Sequence, residues 1–356
     1  MSPSPIEASA GAVISIADCE QLSVGVDGAC WISYHFYHGG DYRGALTGFI
    51  QPVLSDLLPT GRIRSFFFIR YQDDDGSHVR LRLLLCPDES GAVVTRLVEV
   101  AARFRGNGRK PAPPERLVRS VFELEVERYG GRAAFPHSLD FFALSSCHAL
   151  DFMARYGEHP RERQIPLILC IFFWQAWGFA QSVEELRELL DYFVGWRERL
   201  QPVICRADHV FESHREAFVS LIRNEMERLL RLEENPTGEF PGLNSAASVS
   251  EASLRLLREI AGLPPESRRS IRISQMHMTA NRLNLLNAEE GYITRLLLRA
   301  FDEVASCDTT LSRRTDQALR NRAPKGSGRL RDLLPLHFAA LSRQTLPSQG
   351  APSHAP

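Results

Sequence analysis

The sequence predicts an α+β protein in which an antiparallel sheet is followed by a mostly helical C-terminal half. Two observations support this fold class. Before residue 133, apolar and other residues alternate in several short stretches, which is the pattern of half-buried strands. From residue 134 to residue 308, apolar residues recur mainly at helical spacing. The chain has 356 residues, enough for one large domain or two ordinary ones.

The sheet-forming part can be assigned element by element. The polar segment between the second and third strands, DDDGS, is typical of a hairpin turn, and Pro59 ends the first helix. The resulting β-α-β-β-α-β order predicts a ferredoxin-like sheet packed against two helices. The predicted elements are strand Cys30–Tyr37, helix Asp41–Leu58, strands Ser65–Tyr71 and His78–Leu85, helix Ser90–Phe104 and strand Leu117–Val126.

The rest of the chain predicts helices and two irregular ends. Residues 1–25 are expected to form a flexible arm, residues 26–308 one domain (sheet part 26–133, helical part 134–308), and residues 309–356 a basic and then disordered tail. The predicted helices are Ser138–Tyr156, Ile165–Ala180, Ser182–Leu200, Ala207–Glu233, Ser248–Ala261, Pro265–Leu286 and Ala288–Ser306.

Composition excludes several classes of function. The 42 basic and 43 acidic residues leave a net charge near zero, so no overall charge recruits DNA, RNA or a membrane. The seven cysteines are scattered without a CxxC pair, which argues against zinc and against a disulfide scaffold. No apolar stretch reaches the about 18 residues of a membrane span, and the N-terminus does not read as a signal peptide. We therefore expect a cytoplasmic protein.

The third predicted strand carries a basic stripe. His78, Arg80 and Arg82 alternate with aliphatic residues, so these three side chains share one face of the strand. Cationic groups held so close together repel one another and need anions or water. The stripe predicts an anion-binding surface, and an ordinary solvent-facing strand is the alternative.

Arg128 and Tyr129 precede a Gly-Gly pair at the predicted end of the fourth strand. Consecutive glycines permit a sharp turn and a close approach of the backbone to another group. The Arg128 guanidinium could therefore reach into a cleft. The alternative is a salt-bridged strand end in which Glu125 or Glu127 neutralises Arg128.

A late predicted helix carries Ser274, His277 and Asn281 on one face, because they lie at positions i, i+3 and i+7. Arg282 follows directly. Histidine exchanges protons near neutral pH, so His277 is a candidate acid or base, although a structural histidine is an equal alternative. The sequence contains no GxSxG, P-loop, HExxH or strand-linked GxGxxG motif.

Taken in order, FFFIRY, HVRLRL, ERYGG and HMTANRL resemble the C-terminal elimination domain of class I lanthipeptide dehydratases. That domain also occurs as a free-standing protein of the thiopeptide-type bacteriocin biosynthesis family. The resemblance extends from about Trp31 to about Phe301. The large glutamylation domain is missing, so we expect a split, stand-alone member.

The resemblance implies an activity and a set of partners. A separate enzyme that uses glutamyl-tRNA would esterify Ser or Thr of a leader-bearing precursor peptide with glutamate. This protein would then expel glutamate to form dehydroalanine or dehydrobutyrine, with neither a metal nor an organic cofactor. A homodimer is compatible with the sequence, which sets no oligomeric state.

The resemblance also implies roles for individual residues. Arginine binds carboxylates through a fixed fork of donors, which suits the departing glutamate. Arg132 lies close enough to Arg128 to replace it. The catalytic candidates are Arg80, Arg82, Arg128 and His277, and the substrate-binding candidates are His78, Ser274, Asn281, Arg282 and Tyr129.

Two other functions stay open. Thiopeptide pathways use a homologue of this fold as a pyridine synthase, which joins two dehydroalanines in a formal [4+2] aza-cycloaddition and then loses water and the leader peptide. Ser274, His277 and Tyr292 could serve that reaction, whereas the arginine set favours elimination. The third hypothesis is a non-catalytic protein that holds the precursor peptide.

Overall fold

The computed structural model describes residues 29–104, 117–122, 125–191, 197–234 and 246–322. The predicted N-terminal arm and most of the predicted tail lie outside these ranges. Within the described residues, the predicted combination of an antiparallel sheet and a mostly helical second half is confirmed.

In the described part of the chain the sheet has four strands in the order β2-β3-β1-β4, and every neighbouring pair is antiparallel. Helix α1 is continuous, with a π-helical middle segment at Ala45–Ile50 between Tyr42–Gly44 and Gln51–Leu57. The other elements of this half are β1 (Cys30–Tyr37), β2 (Ile63–Asp73), β3 (Gly76–Leu85), α2 (Ser90–Arg103) and β4 (Leu117–Ser120).

A 3₁₀ turn, Glu127–Tyr129, leads into the helical half. None of the described helices combines the length and the apolar character needed to cross a membrane. The helices are α3 (Gly131–Tyr156), α4 (Arg161–Phe179), α5 (Val183–Leu190), α6 (Arg197–Ser213), α7 (Arg215–Glu234), α8 (Ala246–Glu259), α9 (Pro265–Arg282), α10 (Asn287–Cys307) and α11 (Thr309–Asn321).

The two faces of the sheet differ in chemistry. Aliphatic and aromatic side chains such as Phe36, Phe68 and Leu81 point into the main core, where α1 and α2 pack. The opposite side we call the polar face, because side-chain alternation places the predicted basic stripe there. The polar and aromatic residues that give it this character are Ser33, His35, Tyr37, Tyr71, His78, Arg80, Arg82 and Ser120.

One end of the polar face is closed by a second, smaller core, which we call the aromatic cluster. Phe67 lies at its centre, with its ring 5.5 Å from Trp31, 5.6 Å from Phe122 and 5.2 Å from Phe142 between centroids. Its aromatic members are Trp31, Phe67, Phe122, Tyr129, Phe135 and Phe142.

Strand β4 is shorter than predicted. It ends at Ser120 instead of Val126, and Phe122 enters the aromatic cluster. The ERYGG segment is consequently a 3₁₀ turn in front of α3 and does not form the end of a strand. Alternation of apolar residues continues past Ser120, and nothing in the sequence marks where pairing with β1 stops.

Within the described residues, the helices also differ in places from the predicted ones. The single helix predicted over Ala207–Glu233 is two helices, which meet at His214. Helix α11 lies in the segment expected to be the basic tail, with Leu311 and Leu319 buried against the helical half.

Side chains from α3 and α9 cover the outer edge of β2. Asn281 accepts a hydrogen bond from the Arg70 amide at 2.7 Å and donates to its carbonyl at 2.9 Å. The Phe68 amide donates to Ser146 Oγ at 3.2 Å, and Arg282 Nε donates to the Phe68 carbonyl at 2.8 Å. A bare edge would expose these groups, so the contacts both satisfy the strand and fix α9 against the sheet.

Candidate anion-binding and proton-transfer site

Arg82 is a buried cation with no salt-bridge partner among the described residues. Its guanidinium lies 5.1 Å above the Phe122 ring, and its Nε and Nη1 atoms have no hydrogen-bond partner among the described residues. Burial, together with the nearby Arg80, lowers the pKa of Arg82 to about 9. Unsatisfied buried donors are costly unless a ligand or water completes them. This is the arrangement expected of an anion site.

Arg282, at the end of α9, has the same property. It is fully buried, and apart from its contact with the Phe68 carbonyl its Nη1 and Nη2 atoms have no partner in the described part of the chain. Its guanidinium lies 4.8 Å from the centre of the Phe142 ring, and burial lowers its pKa to about 10. Since Phe122 and Phe142 both contact Phe67, the two unsatisfied guanidiniums border one aromatic cluster.

Arg80, in contrast, is held on two sides. Its guanidinium carbon lies 3.3 Å from the centre of the Tyr71 ring, and its Nε–H donates to His78 Nε2 at 3.3 Å. His78 is fully buried, and burial together with Arg80 and Arg82 lowers its pKa. The stripe therefore carries two cations and one neutral imidazole.

His277 forms a dyad with Glu290. Its Nδ1 lies 2.9 Å from Glu290 Oε2, while 36 % of the imidazole side chain stays exposed. Glu290 is 1 % exposed, its Oε1 has no partner within the described ranges, and burial raises its pKa while His277 acts in the opposite direction. Such a carboxylate fixes the ring so that Nε2 faces away from it and can exchange a proton.

Glu290 escaped the sequence analysis, because it lies on a different helix and thirteen residues after His277. Its neighbour Glu289 accepts from the Leu286 amide at 2.9 Å and pairs with Arg161, as acidic residues in a first helical turn often do. The only available signal was a pair of glutamates at a helix start, which predicts capping for both.

One helix, α9, carries both His277 and Arg282. Met278, the residue after His277, packs against the aromatic cluster on which Arg82 and Arg282 lie. Ser274 is half-buried one turn before His277. Asn281 donates a hydrogen bond to the Arg70 carbonyl at the edge of β2, as described above.

Arg128 also borders the aromatic cluster, because its guanidinium carbon lies 5.4 Å from the centre of the Tyr129 ring. It is paired with Glu125 at 2.8 Å, in a salt bridge whose two side chains are about half exposed, and Arg132 is exposed as well. Tyr129 is buried in the aromatic cluster.

Among the described residues, His35, Asp73 and His78 could offer three metal ligands, with ligand atoms within 4.8 Å of one another. Two features oppose a metal. The two imidazoles are stacked, 4.6 Å apart and 23° from parallel, so their in-plane lone pairs do not converge. Arg80 donates to His78 Nε2, and its charge repels a cation.

Comparison with known proteins places this geometry in context. Residues 31–301 match the sequence model of a family described as the lantibiotic biosynthesis dehydratase C-terminal domain. No curated protein is matched by the chain.

Three solved structures share the fold. One is a tRNA-dependent lantibiotic dehydratase, MibB, from Microbispora sp. 107891, at 20 % identity and a TM-score of 0.58 over 78 % of this chain and 28 % of that one. TsrL matches at 15 % identity and 0.55 over 84 % and 100 %. TbtD, a pyridine synthase from thiomuracin biosynthesis, matches at 17 % and 0.53 over 78 % and 99 %. The chain thus spans about a quarter of the length of MibB.

Proposed function

The chain belongs to the family of lantibiotic biosynthesis dehydratase C-terminal domains, and from that premise we propose that it is a lyase acting on a ribosomally made precursor peptide. The reaction we propose is elimination of glutamate from glutamylated Ser or Thr, which leaves dehydroalanine or dehydrobutyrine. A separate glutamyl-tRNA-dependent enzyme would supply the ester. We also propose that the sheet is ferredoxin-like, which the strand order supports.

The observation that carries this proposal is the buried Arg82 guanidinium with its two unsatisfied donor atoms. In the elimination the Cα–H bond breaks, a carbon–carbon double bond forms and the Cβ–O bond breaks. Glutamate leaves with the bonding electrons as a carboxylate. A buried guanidinium that already lacks an acceptor stabilises exactly such a developing anion without first losing another partner.

A second group of residues accounts for the proton that is removed from Cα. His277 is exposed enough to meet substrate, and Glu290 holds its ring from the buried side. We assign the dyad to the proton transfer that accompanies elimination, because the paired carboxylate stabilises the imidazolium formed when the ring takes up a proton.

Pyridine formation is the second candidate, and one observation favours it. Arg128, a member of the arginine set that the family resemblance assigns to elimination, is paired with Glu125 at the surface. A cycloaddition that expels no glutamate does not need this arginine. The His277–Glu290 dyad would then exchange protons with the cyclising backbone.

Mass spectrometry distinguishes elimination from pyridine formation and from peptide binding alone. The protein is incubated with a glutamylated precursor peptide and, separately, with a dehydrated azole-bearing precursor. Loss of glutamate from the first supports elimination, and release of the leader peptide from the second supports pyridine formation. Unchanged masses in both, with retained peptide binding, would overturn both enzymatic proposals and leave the peptide-holding function.

A further inference from the structure

The geometry points to a positioning role for Tyr71 and His78, which extends the proposed anion binding and rests on it. We propose that these two side chains clamp the Arg80 guanidinium and leave its Nη1–Nη2 edge as the part that meets a substrate carboxylate. Arg80 would then set the orientation of the anion, and Arg82 would supply charge from the buried side.

Tyr71 controls one flat face of the guanidinium. The Arg80 guanidinium carbon lies 3.3 Å from the ring centre, which is a close cation–π contact. Tyr71 is 43 % exposed, so its ring stands between this face of the guanidinium and solvent and is not part of the core. An arginine without such a contact samples many rotamers, and fixing it in advance removes that cost from ligand binding.

His78 controls one edge. Its Nδ1 lies 3.2 Å from the Gly76 carbonyl, an acceptor only, so Nδ1 carries the hydrogen. Its Nε2 then has a free lone pair, which accepts the Arg80 Nε–H at 3.3 Å. A protonated ring could not accept this bond, and the lowered pKa of His78 agrees with the neutral form.

The hairpin turn between β2 and β3 fixes the orientation of the His78 ring. Gly76 has a φ of +119°, which side-chain-bearing residues rarely adopt, and it directs its carbonyl to the imidazole. The His35 and Tyr37 rings both lie 4.6 Å from the ring of His78. The polar DDDG sequence thereby determines, through one carbonyl and one imidazole, how an arginine two residues further along is oriented.

What remains of Arg80 is the pair of Nη atoms, for which no described residue accepts a hydrogen bond in the structure. With one face stacked and Nε occupied, this edge presents two parallel N–H groups, the geometry that binds a carboxylate in a bidentate manner. Arg82 differs, since its Nε has no partner. The two arginines of the stripe therefore have separate tasks.

The test compares Tyr71→Leu, which removes the ring, with Tyr71→Phe, which keeps it. We expect Tyr71→Leu to lower kcat/KM for the glutamylated peptide about tenfold, mainly through KM, and Tyr71→Phe to stay within about twofold of the wild type. Trp174→Leu is the matched control, because it removes the ring from another arginine–aromatic pair, Arg228 on Trp174 at 5.3 Å in the helical half.

A second measurement needs no reaction. The Nε–Hε NMR signal of Arg80, assigned with Arg80→Lys, should carry the ring-current shift of Tyr71, which Tyr71→Phe retains and Tyr71→Leu loses. An identical signal in wild type and Tyr71→Leu, or equal kinetic losses in Tyr71→Leu and Trp174→Leu, would overturn the clamp. If the signal shifts as expected but no peptide loses glutamate, the clamp stands and the proposed elimination does not.

Discussion

Helix α9 buries two arginines, Arg272 near its middle and Arg282 at its C-terminal end, and their surroundings differ. Arg272 faces the other helices, where its Nη1 donates to the Phe179 carbonyl at 3.2 Å and to Glu185 at 3.3 Å, although its Nε has no partner within the described residues. Arg282 faces the sheet, where both Nη atoms have no partner within the described residues. The first arginine completes the C-terminal end of α4, as cations there commonly do. The difference indicates that burial alone does not mark a candidate ligand site, whereas two buried guanidinium nitrogens without acceptors do.

The largest effect should come from replacing an arginine of the second kind. Arg82→Met is expected to slow elimination by about 10²–10³, because it removes a preorganised donor for the departing carboxylate. Its free energy of unfolding should stay the same or rise, since an uncompensated buried charge disappears. Steady-state kinetics and urea unfolding measure the two quantities. A variant that keeps the full elimination rate contradicts the assignment of Arg82.

Arg272→Met should give the reverse pattern. Leaving the Phe179 carbonyl and the Glu185 carboxylate without their donor is expected to lower the free energy of unfolding by about 1–3 kcal/mol. KM and kcat should stay within about twofold of the wild type at a temperature where the variant is folded. If activity falls while stability is kept, the distinction between the two arginines of α9 is wrong.

The same comparison can be made for two adjacent carboxylates. Glu290 Oε1 has no partner among the described residues, whereas both oxygens of Glu289 accept hydrogen bonds. Glu290→Gln is expected to lower kcat about tenfold, because a neutral amide no longer stabilises the His277 imidazolium. Glu289→Gln is the control, since Glu289 contacts Arg161 and the Leu286 amide and should affect stability alone. Rates measured for both variants at several pH values decide the matter, and equal rate losses would refute a special role for Glu290.

His38 is an exception to the rule that buried groups without partners indicate a ligand site. Both of its ring nitrogens lack partners among the described residues, yet burial, opposed by Asp41 and assisted by His78 and Arg70, lowers its pKa to about 4 and keeps it neutral. The unfolded chain, with a histidine pKa of about 6.5, binds more protons between these values, so stability falls as the pH falls through that window.

His38→Phe should therefore reduce the loss of stability between pH 7 and pH 4.5 by about 1–2 kcal/mol and leave activity at pH 7 unchanged. Urea unfolding at the two pH values provides the measurement. An unchanged difference would mean that the neighbouring imidazoles dominate the acid sensitivity.

The sequence reveals much of this architecture and less of the site. Alternation along β3 is enough to put Arg80 and Arg82 on one face, because side-chain direction in a strand has a period of two. It does not reveal that the pKa of His78 is lowered, since that shift comes mainly from burial in the folded structure. It also misplaces the end of β4, because that end depends on Phe122 packing with residues distant in sequence.

The side chain of Asn281 imitates a piece of backbone. It offers one carbonyl and one N–H to Arg70, as a residue of a neighbouring strand would, so the sheet ends in a false fifth strand one residue long. Aspartate lacks the donor and glutamine is a methylene too long, which makes the position intolerant of conservative exchange. The imitation also removes a template on which a second chain could add a strand beside β2.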